Sequence, residues 1–294
     1  MKVRRELLGL HCYDRVSGIH LLLDECPQAS ALCDIGPRVV SIALTNVCDA
    51  RCQFCYAPKT NDSLPASAVL SWCRELDELG SLEVAFGGGE PALYPELTEL
   101  CNQIWSSTQL GISITSNGHH INSALVSALA GSVSIVRFSV DALEPLYSAI
   151  RGRSMSAVIC ALDMAQDVMP VGINTVINRA TLPGLDQILA FLVHRGISDW
   201  LLLPEVARGG FVLSPDEWDA LSEFVARCPR HVRLSTTSAA RRFLKGSFLF
   251  PPDDEGSYAH ISATGQLSES SYGGRGVPLW DSTVHEALVH LAAP

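Results

Sequence analysis

The sequence predicts an α/β fold built from parallel βαβ units, and three observations carry that reading. Six short apolar runs, at 39–45, 82–86, 111–116, 133–140, 171–177 and 199–204, have the length and side-chain types of buried strands. Amphipathic stretches near 66–79, 96–107, 121–130, 155–168, 184–195 and 215–227 alternate with them. Polar and glycine-rich segments recur where the strands end. Strands alternating with helices imply a parallel sheet with right-handed crossovers, either open and doubly wound or closed into a barrel.

The chain has 294 residues, which allows one or two domains. It is 47% hydrophobic and 18% charged, enough for a sizeable core and against disorder. A net charge of −10 argues against wrapping nucleic acid or anionic lipid as the main activity. No apolar run reaches the ~18 residues of a membrane span. The first fifteen residues are basic with only a short apolar stretch, unlike a secretory signal. A cytoplasmic protein is expected, with neither membrane nor nucleic acid as partner.

In chain order, alternating stretches at 7–14 and 19–25, split by Ser17 and Gly18, predict a β-hairpin. Residues 26–37 read as a connecting loop. The N-terminal piece, 1–38, is too small to fold alone. The repeating βα pattern fills 39–205. Residues 206–294 form a C-terminal extension, in which 258–274 reads as a hairpin with Gly265 at its turn.

There are ten cysteines, and without an export signal these are more often ligands, catalytic thiols or core residues than disulfides. Cys73, Cys101 and Cys160 lie on apolar faces of helical segments and are expected in the core. Cys228, near a helix end, is read as structural. Cys12, Cys26 and Cys33 are irregularly spaced near the N-terminus, with an extra metal site there as the alternative to a structural role. Only Cys48, Cys52 and Cys55 cluster, as C-x3-C-x2-C. Three soft thiolates on one loop suit zinc or an iron–sulfur cluster. A closed zinc site wants a fourth Cys or His, but no second C-x2-C exists and the nearest downstream histidine is His119. Three ligands and one open position suit a [4Fe–4S] cluster.

Downstream strand ends carry Gly87 to Pro91, Ser116 to His120, Ser139 and Asp141, Asn174 with Asn178 and Arg179, and Glu205 to Gly210. In a barrel these ends form the active-site face. Taken together, the cysteine loop, Gly88-Gly89-Glu90-Pro91, Thr115-Ser116-Asn117-Gly118 and the strand 137–142 resemble the radical S-adenosylmethionine (SAM) enzyme superfamily. The resemblance covers about 39–205. It implies a partial (β/α)6 TIM-like barrel, here with a short N-terminal β-hairpin and a small C-terminal α+β extension.

The resemblance further implies roles. Cys48, Cys52 and Cys55 would bind the [4Fe–4S] cluster, whose remaining iron takes the SAM amino and carboxylate groups. Phe54 would pack near adenine. Gly88 and Gly89 would let backbone approach the ligand without a Cβ. Glu90 would orient the SAM ammonium, with a turn and helix cap as its plain alternative. Ser116 and Asn117 would face the ribose or methionine part. Ser139 and Arg151 would lie at the SAM carboxylate, and Asn174 at the ribose. The implied reaction is reductive cleavage of SAM to a 5′-deoxyadenosyl radical, which abstracts hydrogen from substrate. A flavodoxin- or ferredoxin-type donor would supply the electron. No catalytic residue of the chain itself is assigned.

The tail resembles the start of the twitch-like extension of peptide-maturing members, but no cysteine lies beyond Cys228 and serines fill 268, 270 and 271. An auxiliary cluster is not expected there. A peptide or protein side chain is the favoured substrate, recognised at the barrel face or by a separate leader-peptide-binding protein. The alternative is an oxidoreductase, epimerase or dehydratase acting on a small sugar- or nucleotide-like metabolite. A non-catalytic iron–sulfur or zinc-binding regulator is the rival of another class. Candidate substrate contacts are His119, His120, Asn178, Arg179, Glu205 and Arg208. Tyr56 is read as a wall of the cluster pocket.

Overall fold

A computed structural model describes residues 1–7, 9–24, 32–207, 210–244 and 257–292. Cys26 and Arg208 lie outside the described residues.

The chain opens with three antiparallel strands, β1 (Lys2–Glu6), β2 (Gly9–Asp14) and β3 (Ile19–Leu23). The predicted hairpin is β2 and β3; β1 is an addition. Its residues, Lys-Val-Arg-Arg-Glu, read as a charged surface segment, yet Lys2 and Arg4 are buried. Ion pairing makes that possible: Lys2 Nζ meets Asp77 at 2.6 Å, and Arg4 meets Glu6 at 3.2 Å and donates to the Gly80 carbonyl at 3.0 Å.

The repeating part then runs β4 (Val39–Thr45), α1 (Ala66–Glu78), β5 (Glu83–Gly88), α2 (Leu97–Ser107), β6 (Gly111–Ser116), α3 (Ser123–Leu129), β7 (Ile135–Ser139), α4 (Leu146–Arg151), α5 (Ser156–Gln166), β8 (Val171–Ile177), α6 (Leu185–Arg195) and β9 (Asp199–Pro204). The six strands pair parallel and lie side by side in chain order. A doubly wound sheet would reverse its order at a switch point; this one does not, which is the barrel arrangement.

Alternation along each strand separates two faces. Val40, Ile42 and Leu44, Val84 and Phe86, Ile112 and Ile114, Val136 and Phe138 all join one apolar core with the helices. The opposite face carries Ser41, Ala43 and Thr45, Glu83 and Ala85, Ser113 and Thr115, Arg137 and Ser139, and Asn174. Cross-strand bonds on that face, Arg137 to Asp199 and Asn174 Nδ2 to Thr115 Oγ1 at 3.1 Å, show that these side chains share one polar lumen. Cys73 and Cys101 are fully buried, as expected. Cys160 is not: it is exposed, because the stripe of α5 is Val158, Ala161, Leu162 and Ala165, and position 160 falls on the other side of the helix.

The C-terminal residues add to both edges of this sheet. After the short pair β10 (Val206–Ala207) and β11 (Gly210–Phe211) comes α7 (Pro215–Arg227), opened by a Ser214–Glu217 capping box. Strand β12 (Arg233–Thr236) pairs parallel with β9, and α8 (Ser238–Arg241) follows it. Strand β13 (Tyr258–Ile261) pairs parallel with β4 and antiparallel with β14 (Gln266–Ser268), with Gly265 at φ +76° in the predicted turn. Strand β15 (Val277–Pro278) and α9 (Val284–Ala292) complete the fold. Among the described residues no helix is long and apolar enough to cross a membrane.

The small sheet β1–β3 covers the end of the barrel where strands begin. Arg15 donates to the Thr108 carbonyl at 2.7 Å and lies 3.8 Å over Trp105. Tyr13 packs on Gly111, where a Cβ would come 2.1 Å from its phenol oxygen. Gly111→Ala is therefore expected to lose about 1–3 kcal/mol by overpacking. Denaturant unfolding would show it, and the loss should shrink in a Tyr13→Ala background if this contact is the cause.

On the lumen side His260 Nδ1 lies 2.6 Å from Ser41 Oγ. Burial holds the imidazole down to about 4 from its ordinary 6.5. Unfolded chains take up this proton below 6.5, while the fold refuses it until about 4. Stability from neutral His260 is therefore complete above 6.5 and is lost as pH falls from 6.5 to about 4. His260→Gln should flatten the stability–pH curve across that window by up to about 3 kcal/mol, read by urea unfolding at several pH values.

Candidate functional site

The cysteine loop leaves β4 and returns to α1. Its base is closed by Asn46 N donating to the Asp62 carbonyl (2.8 Å) and Asn46 Nδ2 donating to Thr60 Oγ1 (2.9 Å). Buried Thr45 Oγ1 accepts from Val47 N (3.0 Å) and Ser63 Oγ (2.6 Å). The far part turns through Cys55 N to the Cys52 carbonyl, 3.2 Å. Two cations face the thiols: Lys59 Nζ is 3.3 Å from Cys55 Sγ, and Arg151 Nη1 is 3.7 Å from Cys52 Sγ. Burial pushes the Cys48 and Cys52 thiols up; at Cys52 the Arg151 guanidinium works the other way.

The end of β5 packs directly on this loop. Gly89 N donates to the Thr45 carbonyl at 2.6 Å and Glu90 N to the Val47 carbonyl at 2.8 Å. A Cβ at Gly88, which has φ +105°, would meet the Thr45 oxygen at 2.4 Å; one at Gly89 would meet the Val47 oxygen at 2.2 Å. The cysteine loop's own backbone is thus a sufficient reason for glycine at both positions. Gly87 is the position where a Cβ would meet nothing within 4 Å.

Glu90 is 1% exposed. Its Oε1 accepts from Ala92 N (3.0 Å) and Ser116 Oγ (2.7 Å), and its Oε2 accepts from Asn117 N (2.7 Å). It caps the turn at Pro91–Leu93. Burial pushes its carboxyl up despite these donors. Ser116, expected with Asn117 at the ribose or methionine, points its hydroxyl at Glu90; Asn117 gives Glu90 its backbone N–H and turns its side-chain amide toward Asp49.

Arg151, 7% exposed, directs Nε and Nη2 at Asp141 Oδ2, both at 2.6 Å. Asp141 Oδ1 accepts from Val176 N at 2.9 Å. The guanidinium edge expected at a carboxylate ligand is held by this aspartate, leaving Nη1 toward Cys52. Burial opposes the Arg151 charge, but Asp141, together with Cys52 and Tyr147, holds the group above its ordinary value. The Phe54 ring lies 5.8 Å from the guanidinium carbon. Ser139 is in register with Asn174 across β7 and β8. Asn174 is 7% exposed, and its Oδ1 is a buried acceptor without a partner among the described residues.

The substrate candidates divide. Asn178 donates to Glu205 Oε2 at 2.7 Å at the β8 and β9 ends. Arg179 turns outward to Glu217 at 2.9 Å, with 84% of its side chain exposed, so it leaves the group. His120 bonds Asp49 at 2.6 Å, and burial lowers the pKa of His119. Tyr56 packs against Tyr272 of the tail, ring centres 5.3 Å apart and planes tilted by 57°. Sequence reasoning missed Asp49 and Arg153, which pair at 2.5 Å beside Cys48. Asp49 lay inside the motif, but its partner is remote in sequence.

Among the described residues no three His, Cys, Asp or Glu side chains converge as a site for one metal ion. A four-iron cluster takes each thiolate on a separate iron, so three thiols on one loop, an adjacent buried carboxylate and the unpartnered Asn174 oxygen fit a cluster with an organic ligand beside it. Glu90→Gln should turn an N–H2 toward one of its donors and lower stability by about 1–3 kcal/mol, measurable by denaturant unfolding. An unchanged midpoint would show that the buried bonds do not carry the turn.

The radical SAM superfamily model matches residues 42–188, half of the chain. An uncharacterized protein of Methanocaldococcus jannaschii is 23% identical over 215 residues, covering 67% of this chain and 74% of that protein. The GTP 3′,8-cyclase of Synechococcus elongatus is 29% identical over 173 residues, 55% of this chain; the chain spans about half of the cyclase, 53%. SuiB of Streptococcus suis, bound to S-adenosylmethionine, superposes with TM-score 0.76 over 100% of this chain and 88% of its own at 14% identity. SuiB bound to its precursor peptide SuiA gives 0.73 at 15% identity, over 100% of this chain and 87% of SuiB. At such identity the likeness is one of fold, the partial TIM-like barrel. The chain belongs to the radical SAM superfamily of enzymes, whose cofactors are a [4Fe–4S] cluster and S-adenosylmethionine.

Proposed function

We propose that Cys48, Cys52 and Cys55 hold the cluster, that Glu90 receives the SAM ammonium, and that the enzyme modifies a peptide or protein side chain. When bound, the cluster and SAM supply a 5′-deoxyadenosyl radical for hydrogen abstraction. The observation that carries the reading is the joint between the thiol loop and Glu90. The backbone of Gly89 and Glu90 is hydrogen-bonded to the loop that bears the cysteines. One rigid turn would thus position both cofactors.

Within this reading Phe54, Ser116, Asn117, Ser139, Arg151 and Asn174 wall the SAM pocket. Arg151, paired with Asp141, keeps Nη1 3.7 Å from the Cys52 sulfur. Asn174 Oδ1 would accept a ribose hydroxyl. The polar lumen would hold substrate. The core is 39–205, with 1–38 and 206–294 as extensions. A flavodoxin- or ferredoxin-type protein would supply electrons.

The peptide reading is supported by SuiB, whose fold spans all of this chain including the tail, and which is seen with a precursor peptide. Since β1–β3 covers the opposite end of the barrel, peptide recognition is assigned to the mouth or to a separate leader-binding partner. A small nucleotide-like substrate is the second reading, favoured by the sequence identity to the GTP cyclase.

Anaerobic reconstitution with iron, sulfide, dithionite and SAM tests both levels. The wild type is expected to release 5′-deoxyadenosine, and Cys52→Ala to lose the ~400 nm cluster absorbance and at least about 99% of that product. A loaded wild type that makes none would defeat the enzymatic reading. Mass change on a co-expressed peptide supports the first substrate class; stimulation by nucleoside triphosphates alone supports the second.

A further inference from the structure

The cysteine loop has no helix or strand of its own between β4 and α1, apart from an isolated bridge at Ser63. Its base is pinned by Thr45 and Asn46, and its Cys52–Cys55 turn faces Arg151. Val47, just before Cys48, is held by the Glu90 N–H, and the residue just after Cys48 carries a second anchor, one carboxylate. Asp49 Oδ2 lies 2.6 Å from His120 Nε2 and 2.5 Å from Arg153 Nη2. Asp49 Oδ1 accepts from Asn117 Nδ2 at 3.5 Å, and the Asp49 carbonyl accepts from Arg153 at 3.3 Å.

These donors come from two other elements. His120 and Asn117 belong to the turn after β6, and Arg153 to the turn after α4. Asn117 is the joint: its backbone N–H donates to Glu90 while its side chain reaches Asp49. Gly118 N donates back to Ser116 Oγ at 2.9 Å, which keeps that turn tight. An isolated surface ion pair would contribute little. Here three side-chain donors meet one part-buried carboxylate, and the network runs into a buried one.

We propose that Asp49 is a positioning residue, fixing the Cys48 end of the cluster loop against Glu90 through Asn117, His120 and Arg153, and thereby setting how SAM meets the cluster. The proposal rests on the cofactor reading above. Asp49 touches neither cofactor in this role; it acts through the loop and through Asn117.

Its test uses the full chain reconstituted anaerobically, as wild type, Asp49→Asn and Arg153→Gln. Three quantities are read: iron and sulfide content, SAM dissociation constant, and the change in the EPR spectrum of the dithionite-reduced cluster when SAM is added. Expected is wild-type cluster content in both variants, with the SAM dissociation constant raised about tenfold in Asp49→Asn and about threefold in Arg153→Gln. The SAM-induced EPR change should weaken in the same order. Wild-type affinity and EPR response in both variants would overturn the proposal. So would a loss of cluster content in Arg153→Gln with an unaltered SAM response per loaded cluster, since that marks a purely structural tie. If Asp49→Asn loads no cluster, Arg153→Gln, which lies outside the loop, decides alone. A wild type that loads no cluster or binds no SAM defeats the cofactor reading and this proposal with it; changes confined to the variants bear on Asp49 only.

Discussion

The site depends on one buried carboxylate. Glu90 has almost no contact with solvent, and ionised oxygens in that position demand donors. Three are provided, from Ala92, Ser116 and Asn117. Two of them belong to the end of the neighbouring strand β6. Satisfying Glu90 therefore fixes the end of β5 relative to the end of β6. The backbone of Gly89 and Glu90 in turn carries the cysteine loop at the end of β4. Three consecutive strand ends become one rigid unit, without which neither thiols nor lumen groups would have a defined relation.

The barrel makes this possible by dividing polarity between its faces. Outward residues such as Phe86, Ile114 and Phe138 bury their whole surface against helices, and hold the strands irrespective of what faces inward. The inward face is then free to be polar. It carries Arg137 with Asp199, Asn174 with Thr115, and Ser41 with His260, each a paired polar group in a space that apolar packing does not need to fill. The Asn174 oxygen on that face has no partner among the described residues, and neither do His119 Nε2 and the Tyr147 hydroxyl.

What the sequence displayed and what it hid follow the same division. The six strands were legible because their outward residues are apolar and β-branched, and the helices because their stripes are periodic. The site loops were legible because cysteine, glycine and glutamate at short spacing have few other uses. Strand β1 was not, because burial of Lys2 and Arg4 depends on Asp77, Glu6 and the Gly80 carbonyl. Nor was the close packing of Gly88 and Gly89 on the cysteine loop, since the Thr45 and Val47 carbonyls that forbid a Cβ lie more than forty residues earlier. Arg151 was visible as a cation, but not that Asp141 would occupy its forked edge. Such pairings are choices among many possible partners, settled only when the strands are in register.

The tail gains a physical role from its placement. Strand β13 extends the sheet beside β4, the strand that launches the cysteine loop, and Tyr258 and His260 both hydrogen-bond Ser41 on it. Glu75 of α1 accepts from the Val284 and His285 amides, capping α9 against the barrel. Trp280 packs on Gly265, where any Cβ would clash with the indole, and its ring lies 5.3 Å from Trp72. Tyr272 then reaches the cysteine loop itself by packing its ring against Tyr56. A tail without cysteine beyond Cys228 still braces the strand and the loop on which the candidate cofactor site is built, by hydrogen bonds and aromatic packing. Its sequence is therefore constrained by the barrel edge it completes, and its serines at 268, 270 and 271 are compatible with that role because Ser268 Oγ bonds the Ser270 carbonyl at 2.9 Å within the tail's own turn.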